Sequence, residues 1–406
     1  MAAASSTATT QGVPHWIRSA RVLYLVGIAM FVVTIVIGIL NGADAVEFDR
    51  NQILTHVHSG TVGWLTIVIV AATTLLFRAA DPRLIAALAV MVPVYILAFY
   101  TGNLPFRAIS GTILLVVVGW LVVWIWQQFL ASERSLPKLA VTLGLTTFAI
   151  GAVLGVLLQI AFATNALSLP GDGVGAHAAS MTFGYLVLVA FGVLEWRFRA
   201  TTDRPTLGLI QVVALFLGGI ILPVALLSGA TQAGGGLYLL AGIVAVVLFA
   251  VRILPRTLRA PWLQANPVRH LAAASLWIIV AMAIFLYVVF TAVAAGDPDA
   301  PLPFNLIVAS DHAVYIGVVT NGAIGILSFL FLRESERSGW FAHLVFWGLN
   351  LGLAVFAVGL ILESSELKRI GAPVMGITLL VALGVLLLRV WQARDPELEA
   401  AAAKVA

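Results

Sequence analysis

The sequence predicts an all-α integral membrane protein with twelve transmembrane helices. Of its 406 residues, 61% are hydrophobic and only 10% are charged, whereas soluble domains are about 45–50% apolar and about 25% charged. Apolar runs of about 20 residues, the length that crosses a bilayer, recur twelve times along the chain. The connections between these runs are short, so the sequence leaves no room for a second, soluble domain.

We number the apolar runs span 1 to span 12 in chain order. Their predicted bounds are 21–41, 54–77, 84–102, 107–129, 138–163, 175–196, 206–229, 235–254, 270–293, 308–332, 340–362 and 370–391. The residues before span 1 are small and polar, without the charged region and cleavage site of a signal peptide. We therefore expect 1–20 to be a disordered cytosolic tail, 21–392 the membrane domain, and 393–406 a second cytosolic tail.

The distribution of Lys and Arg predicts the orientation. With a cytosolic N-terminus, 18 of the 22 basic residues fall in inner segments, and only Arg50, Arg107, Lys368 and Arg369 fall in outer ones. Because basic residues accumulate on the cytoplasmic side of membrane proteins, we expect a multi-pass protein of the cell membrane with both termini inside.

Four of the seven histidines lie at the predicted outer ends of spans 2, 6 and 10, and we call them the outer histidines. They are His56 and His58 in span 2, His177 in span 6 and His312 in span 10. "HVHSGTVGWL" and "HAASMTFGYL" share H, S, T, G, an aromatic residue and L at matching positions. "HSGTVG" and "HAVYIG" share a histidine followed five residues later by glycine. This pattern predicts a pseudo-threefold bundle of three four-helix repeats.

The outer histidines also share a depth. About 20 residues, or about 30 Å of helix, separate them from the arginines at the other ends of their spans, Arg78, Arg197 and Arg333. Ionisable residues inside a membrane are candidates for function, so we expect a metal or haem site here. His56 and His58 lie about 200° apart around a regular helix. If both are used, they serve two sites or the helix begins after His56.

Twelve spans with outer histidines on spans 2, 6 and 10 resemble the main, catalytic subunit of the haem–copper oxidases, a family that includes the nitric-oxide reductases. The resemblance covers about 20–392 at the level of topology. It implies that His58 and His312 hold a low-spin haem and that His177 is a ligand of copper or of non-haem iron.

The sequence departs from that family where the oxygen-reducing centre is built. Span 7, "TLGLIQVVALFLGGIILPVALLSG", lacks the family's histidine pair, and span 10 has one histidine where the family has two. No tyrosine follows His177 at the spacing seen in the oxidases. No Asp, Glu or Lys lies deep in a predicted span, so the proton pathways of the pumping enzymes have no counterpart. We expect a divergent relative without a complete oxygen-reducing centre.

Haem ligation by two histidines is the chemistry that the residues support. The chain has no cysteine, which excludes thiolate ligation and covalent haem attachment, so a b-type haem is expected. His56 and His177 form a second site, for which copper is the expected metal, or His177 binds the same iron. Arg107 or Arg50 pairs with the haem propionates, and Arg107 is preferred because it opens a helix.

Several other polar residues carry weaker predictions. Asp311 either orients the neighbouring His312 or caps span 10; capping is favoured, with Ser310 as the alternative cap. Gln159 and Asn350 lie inside spans and predict interhelical hydrogen bonds. Three glycines are expected to allow close helix approach or to make room for a flat cofactor: Gly63, Gly184 and Gly317.

The leading hypothesis is a haem protein that acts in electron transfer, or in sensing or turnover of a small gas such as O₂ or NO, together with an electron donor or a partner membrane subunit. A twelve-helix secondary transporter with an outer histidine site is the alternative. Transporters usually show inverted repeats and helices broken at the midplane, and neither is evident here. A cofactor-free scaffold is the third option. No pattern indicates nucleic-acid binding.

Overall fold

The computed structural model describes residues 12–198, 204–294 and 302–405. Within these ranges twelve helices are long and apolar enough to cross a membrane, and there is no strand. Spans 1 to 12 are His15–Gly42, Arg50–Phe77, Pro82–Tyr100, Leu104–Ala131, Leu136–Thr164, Gly173–Phe198, Pro205–Ser228, Thr231–Leu258, Val268–Thr291, Phe304–Phe331, Trp340–Ile361 and Ser365–Gln392. The all-helical class and the twelve spans are confirmed.

Span 1 begins at His15, earlier than the predicted bound, and buries Trp16 and Ile17. The predicted tail 1–20 is therefore helical in its last part, and 1–11 lie outside the described residues. At the start of several other spans, side chains satisfy the free backbone amides. Asp49 and Gln52 form a capping box at the start of span 2, and Asn103 accepts from the Phe106 amide at the start of span 4.

The segment predicted as a C-terminal tail forms a further helix, Asp395–Val405, with Leu398 buried. Lys404 Nζ donates to the carbonyl oxygens of Phe329 and Leu330 at the end of span 10, at 2.9 and 3.2 Å. A cation satisfies the last carbonyls of a helix and complements its dipole. The C-terminal helix is thus joined to the end of span 10.

Spans 2, 6 and 10 form the centre of the bundle. In their most apolar stretches 83%, 67% and 78% of the residues are buried, against at most 56% in any other span. We call the end at which these three spans begin the histidine end, and the opposite end the basic end. Because the three spans are surrounded by the others, their polar residues lie away from lipid.

Each central span has the same internal division. Span 2 consists of α-helix Arg50–His58, π-helix Ser59–Thr66 and α-helix Ile67–Phe77. Span 6 consists of Gly173–Met181, Thr182–Val187 and Leu188–Phe198, and span 10 of Phe304–His312, Ala313–Thr320 and Asn321–Phe331. In the wider turn of a π-helix, a side-chain hydroxyl can reach the carbonyl oxygen five residues earlier. The Thr66 hydroxyl donates to the Thr61 carbonyl oxygen in this way, and the Thr320 hydroxyl donates to that of Tyr315. Such segments are rare and are frequent at functional sites.

Hydrogen bonds from side chains of the π segments join the central spans. The indole Nε1 of Trp64 donates to Thr320 Oγ1 at 2.9 Å, and the fully buried Trp64 ring stacks on Phe31 with centroids 4.6 Å apart. Thr182 Oγ1 donates to Asp311 Oδ1 at 3.4 Å. Span 10 therefore contacts both span 2 and span 6 at the level of the π segments.

The glycines at matching positions of the three π segments allow close helix contact. A Cβ at Gly63 would lie 2.7 Å from the Cβ of Met30, and one at Gly317 would lie 2.5 Å from Cγ of Trp277. At Gly184 it would lie 2.6 Å from the Cα of Gly219 in span 7. The prediction of close approach is confirmed, and neighbouring helices fill the space beside each glycine.

The bundle contains a buried ion pair that the sequence did not indicate. Glu195, in span 6, is 1% exposed and accepts hydrogen bonds from Arg252 of span 8. Gln211 of span 7 bonds to both partners. Glu195 lies near the end of span 6, so the neighbouring spans bury this carboxylate although it is not deep in the span.

Candidate cofactor-binding site

His58 is the last residue of the first α-helix of span 2. Its Nδ1 lies 2.8 Å from the carbonyl oxygen of Leu54, four residues earlier in the same helix. Its ring stacks on Phe99 of span 3, with centroids 3.7 Å apart and planes at 16°. The backbone bond and the stacking together hold the imidazole in one orientation.

His312 has the corresponding arrangement in span 10. It is the last residue before the π segment, and its Nδ1 lies 2.8 Å from the Val308 carbonyl oxygen, again four residues earlier. The Phe356 ring of span 11 lies 5.1 Å away. His58 and His312 thus occupy equivalent positions on two central spans that contact each other.

The hydrogen bonds of these rings determine their tautomer. A carbonyl oxygen only accepts, so Nδ1 of His58 and of His312 carries the hydrogen. In the neutral ring Nε2 then has the lone pair, and neither Nε2 makes a hydrogen bond with the described residues. Metal-binding histidines usually donate their other ring nitrogen to a carbonyl in this way. Both residues therefore have the chemistry that iron ligation requires.

His56 and His177 donate to the preceding span instead. Nδ1 of His56 lies 2.9 Å from the Thr34 carbonyl oxygen, and Nδ1 of His177 lies 2.8 Å from that of Gly151. Because the helix is regular through Arg50–His58, His56 faces span 1 while His58 faces span 3. The structure therefore excludes a helix start after His56, and the two side chains point to different sides of span 2.

The histidines of the basic end differ from this group. Nδ1 of His343 lies 3.1 Å from Nη1 of Arg269, which can only donate, so this Nδ1 accepts. His270 is 4% exposed and bonds to Asn321 Oδ1 at 3.0 Å. Spans 9, 10 and 11 enclose it, and its ring lies 5.2 Å from the Phe346 ring.

Asn350 and Gln159, the two polar residues predicted to bond between helices, differ in their partners. Asn350 bonds to Asn321 and accepts from Trp277 Nε1 at 2.9 Å, which confirms its interhelical role. The Oε1 atom of Gln159 is buried and has no partner among the described residues. The prediction of an interhelical bond to that oxygen is wrong.

Arg107 lies close to His58. Arg107 is 4% exposed, and its guanidinium donates to Asn51 Oδ1 at 2.7 Å and to the Phe99 carbonyl oxygen at 2.8 Å. Its Cζ is 4.7 Å from the centroid of the same Phe99 ring that stacks on His58. The structure thus brings the predicted propionate partner and the predicted ligand to one aromatic ring. Arg50 is exposed at the first turn of span 2.

Asp311 does not cap span 10, so that prediction is wrong. The helix begins at Phe304 after Pro303, seven residues before Asp311. The carboxyl group instead accepts from Thr182 Oγ1, which also lies 3.5 Å from the Tyr315 hydroxyl. Ser310 is not a cap either, since its hydroxyl donates to the Ala281 carbonyl oxygen at 3.4 Å. Asp311 connects spans 6 and 10 beside His312.

The outer histidines do not converge on one point. Among the described residues no three His, Cys, Asp or Glu side chains are placed to hold a metal ion together. The part of the chain that the structure describes thus holds no preformed site with three such ligands.

Comparison with protein-family models and with curated proteins found no match to this chain. The function is therefore inferred from the chemistry of the site.

Proposed function

We propose that the protein binds a b-type haem between His58 and His312 and resembles the main subunit of the haem–copper oxidases, without their complete oxygen-reducing centre. In this proposal it acts in electron transfer, or in sensing or turnover of a small gas. The observation that carries the proposal is the shared tautomer of these two rings, each with a free Nε2.

The contact between spans 2 and 10 supports this pairing. His58 lies six residues before Trp64 and His312 eight residues before Thr320, the two residues that bond across the spans. At 1.5 Å per residue, both histidines lie about 10 Å from that bond, toward the same end. Two neighbouring helices that contact each other and carry a histidine at a similar height meet one requirement of a haem with two histidine ligands.

Bound haem would supply one-electron redox chemistry tuned by its axial ligands and surroundings. The residues of the chain do the rest. The Leu54 and Val308 carbonyls hold the ligand tautomers, Phe99 covers one face of His58, and Arg107 places a positive charge beside it. His56 and His177, which share the same tautomer, are the proposed ligands of a second metal such as copper.

The proposal includes a pseudo-threefold bundle in the cell membrane with both termini in the cytosol. The common α–π–α division of spans 2, 6 and 10 supports the repeat, and the accumulation of basic residues at one end supports the orientation.

The haem proposal is tested by the visible spectrum of the purified protein, oxidised and dithionite-reduced, with a pyridine haemochrome assay. We expect about one haem per chain with a sharp reduced α band. His58→Ala and His312→Ala should each abolish that band, because removing either axial ligand leaves the iron without its second imidazole. His343→Ala, the control, should leave the spectrum unchanged, because Nδ1 of His343 accepts from Arg269 and Nε2 of the neutral ring then carries the hydrogen instead of a lone pair.

A colourless protein, or a haem band unaffected by both substitutions, would contradict the proposal. Binding of haem-free metal ions by a colourless protein, lost in His56→Ala or His177→Ala, would favour the transporter instead. Metal analysis of the same samples separates a transporter from a cofactor-free scaffold.

The orientation is tested by cysteine labelling, since the natural chain contains no cysteine. Glu47 and Glu399 are both exposed, at the histidine end and in the C-terminal helix respectively. We expect a membrane-impermeant maleimide to label Glu47→Cys in intact cells and Glu399→Cys only after permeabilisation. The reverse pattern would show that the basic end faces outward, against the positive-inside rule.

A further inference from the structure

A cavity at the basic end, separate from the proposed haem site, contains a buried guanidinium. It lies between spans 9, 10, 11 and 12 and is lined by Arg269, His270 and Arg337 among apolar side chains. The Arg269 side chain is 0% exposed. Burying a cation costs free energy unless an anion pairs with it. The partners of Arg269 therefore indicate whether the cavity binds an anion.

The described residues satisfy Arg269 only in part. Nη1 meets His343 Nδ1, Nη2 donates to the Ala342 carbonyl oxygen, and Cζ lies 4.5 Å from the Phe346 ring centroid. Nε is buried without a partner, although a guanidinium has five N–H donors. No carboxylate of the described residues lies within salt-bridge distance of it, so its charge is uncompensated by these residues.

The carboxylates nearby are committed to other arginines. Arg337 pairs with Glu334 of the short helix Glu334–Ser338, and Arg389 pairs with Glu336 of the same helix. Burial raises the pKa of Glu336, but the hydrogen bonds from Arg389 and from the Arg333 amide, together with the charges of both arginines, outweigh burial and hold that pKa below its usual value. Glu334 and Glu336 thus form ion pairs with Arg337 and Arg389, and neither pairs with Arg269.

We propose that this cavity binds a phosphate group through the Arg269 guanidinium. A planar guanidinium with free donors matches the oxygens of a phosphate, and Ser328 lines the same cavity. The remaining lining, which includes Leu332, Phe341 and Leu386, suits an attached acyl chain. The phosphate comes from an anionic phospholipid headgroup or from free phosphate in the medium.

The test measures the thermal stability of delipidated protein in detergent, because a ligand that binds only the folded state stabilises it. Inorganic phosphate is compared with chloride at matched ionic strength, and phosphatidylglycerol micelles with phosphatidylcholine micelles. We expect phosphatidylglycerol to raise the melting temperature and phosphatidylcholine to have no such effect. Arg269→Gln should weaken the response at least about tenfold in ligand concentration, as expected when one partner of a buried charged pair is lost.

Two further variants separate binding from folding. Arg269→Lys keeps the charge but loses the planar fork, so it should respond at higher concentration than the natural protein. Arg18→Gln removes an exposed arginine whose partner is Asp395, and it should respond as the natural protein does.

The outcomes distinguish the sources of the phosphate. Stabilisation by phosphatidylglycerol alone identifies a lipid headgroup, and stabilisation by inorganic phosphate identifies a free anion. If Arg269→Gln does not fold, native mass spectrometry of the natural protein and of Arg269→Lys decides. Lack of any response in the natural protein, or an equal response in an Arg269 variant, would overturn the proposal. Neither result depends on whether haem is bound.

Discussion

Arg252→Met is expected to lower the free energy of unfolding by about 3–5 kcal/mol, because it leaves the buried Glu195 carboxylate without its cation. Both side chains are almost completely inaccessible, so water cannot replace the lost hydrogen bonds. Gln211 remains as a neutral partner and does not compensate the charge. Unfolding in detergent, followed by tryptophan fluorescence against denaturant, measures the loss.

The double variant Glu195→Met with Arg252→Met is the informative control. Replacing a whole buried ion pair by apolar residues is often neutral or stabilising, so the double variant should recover most of the stability. Arg18→Met, which removes an exposed pair with Asp395, should change stability by no more than about 1 kcal/mol. If Arg252→Met unfolds at the same denaturant concentration as the natural protein, the pair does not stabilise the bundle.

Gly184→Val is expected to cost about 3 kcal/mol or more, and to reduce the yield of folded protein. Overpacked sites cost about 1–3 kcal/mol when side chains can adjust, and more when they cannot. Here the added Cβ would lie 2.6 Å from the Cα of Gly219 and 2.8 Å from Thr147 Cγ2. The first of these contacts is with a backbone atom, which cannot rotate away as a side chain can. Spans 6 and 7 would therefore have to separate.

Gly119→Val is the matched control, because nothing lies within 4 Å of a Cβ added at Gly119 in span 4. It should stay within about 0.5 kcal/mol of the natural protein. Gly219→Val tests the same contact from span 7 and should be as damaging as Gly184→Val. Thermal stability that is equal in Gly184→Val and Gly119→Val would show that the spans accommodate the added methyl groups.

The twelve spans could be predicted because a bilayer requires long apolar helices with internally satisfied backbones. The ends of these helices could not be predicted, because capping residues and tertiary contacts determine where each helix begins and ends. Span 10 begins directly after Pro303, before the predicted bound. Asp311 therefore lies inside the helix, where it accepts a hydrogen bond from span 6 instead of capping span 10. The C-terminal helix was missed because its burial depends on the surface formed by the ends of other spans.

The site was predictable to the level of residue type. The outer histidines stand out because ionisable residues are rare in spans, but their spacing does not say which carbonyl each ring meets. Phe99, which contacts both His58 and Arg107, is one apolar residue among many in the sequence. Arg269 was counted with the basic residues that set orientation, and only the packing of spans 9 and 11 shows that it is enclosed.

The order of the spans has a consequence for biosynthesis. The three central spans lie four apart in the chain, and Trp64 meets its partner Thr320 only after about 250 further residues have been made. At about 5–20 residues per second, the ribosome needs about 10–50 s for that stretch. During this time spans 2 and 6 wait in the membrane without span 10, so the centre of the molecule is completed late in translation.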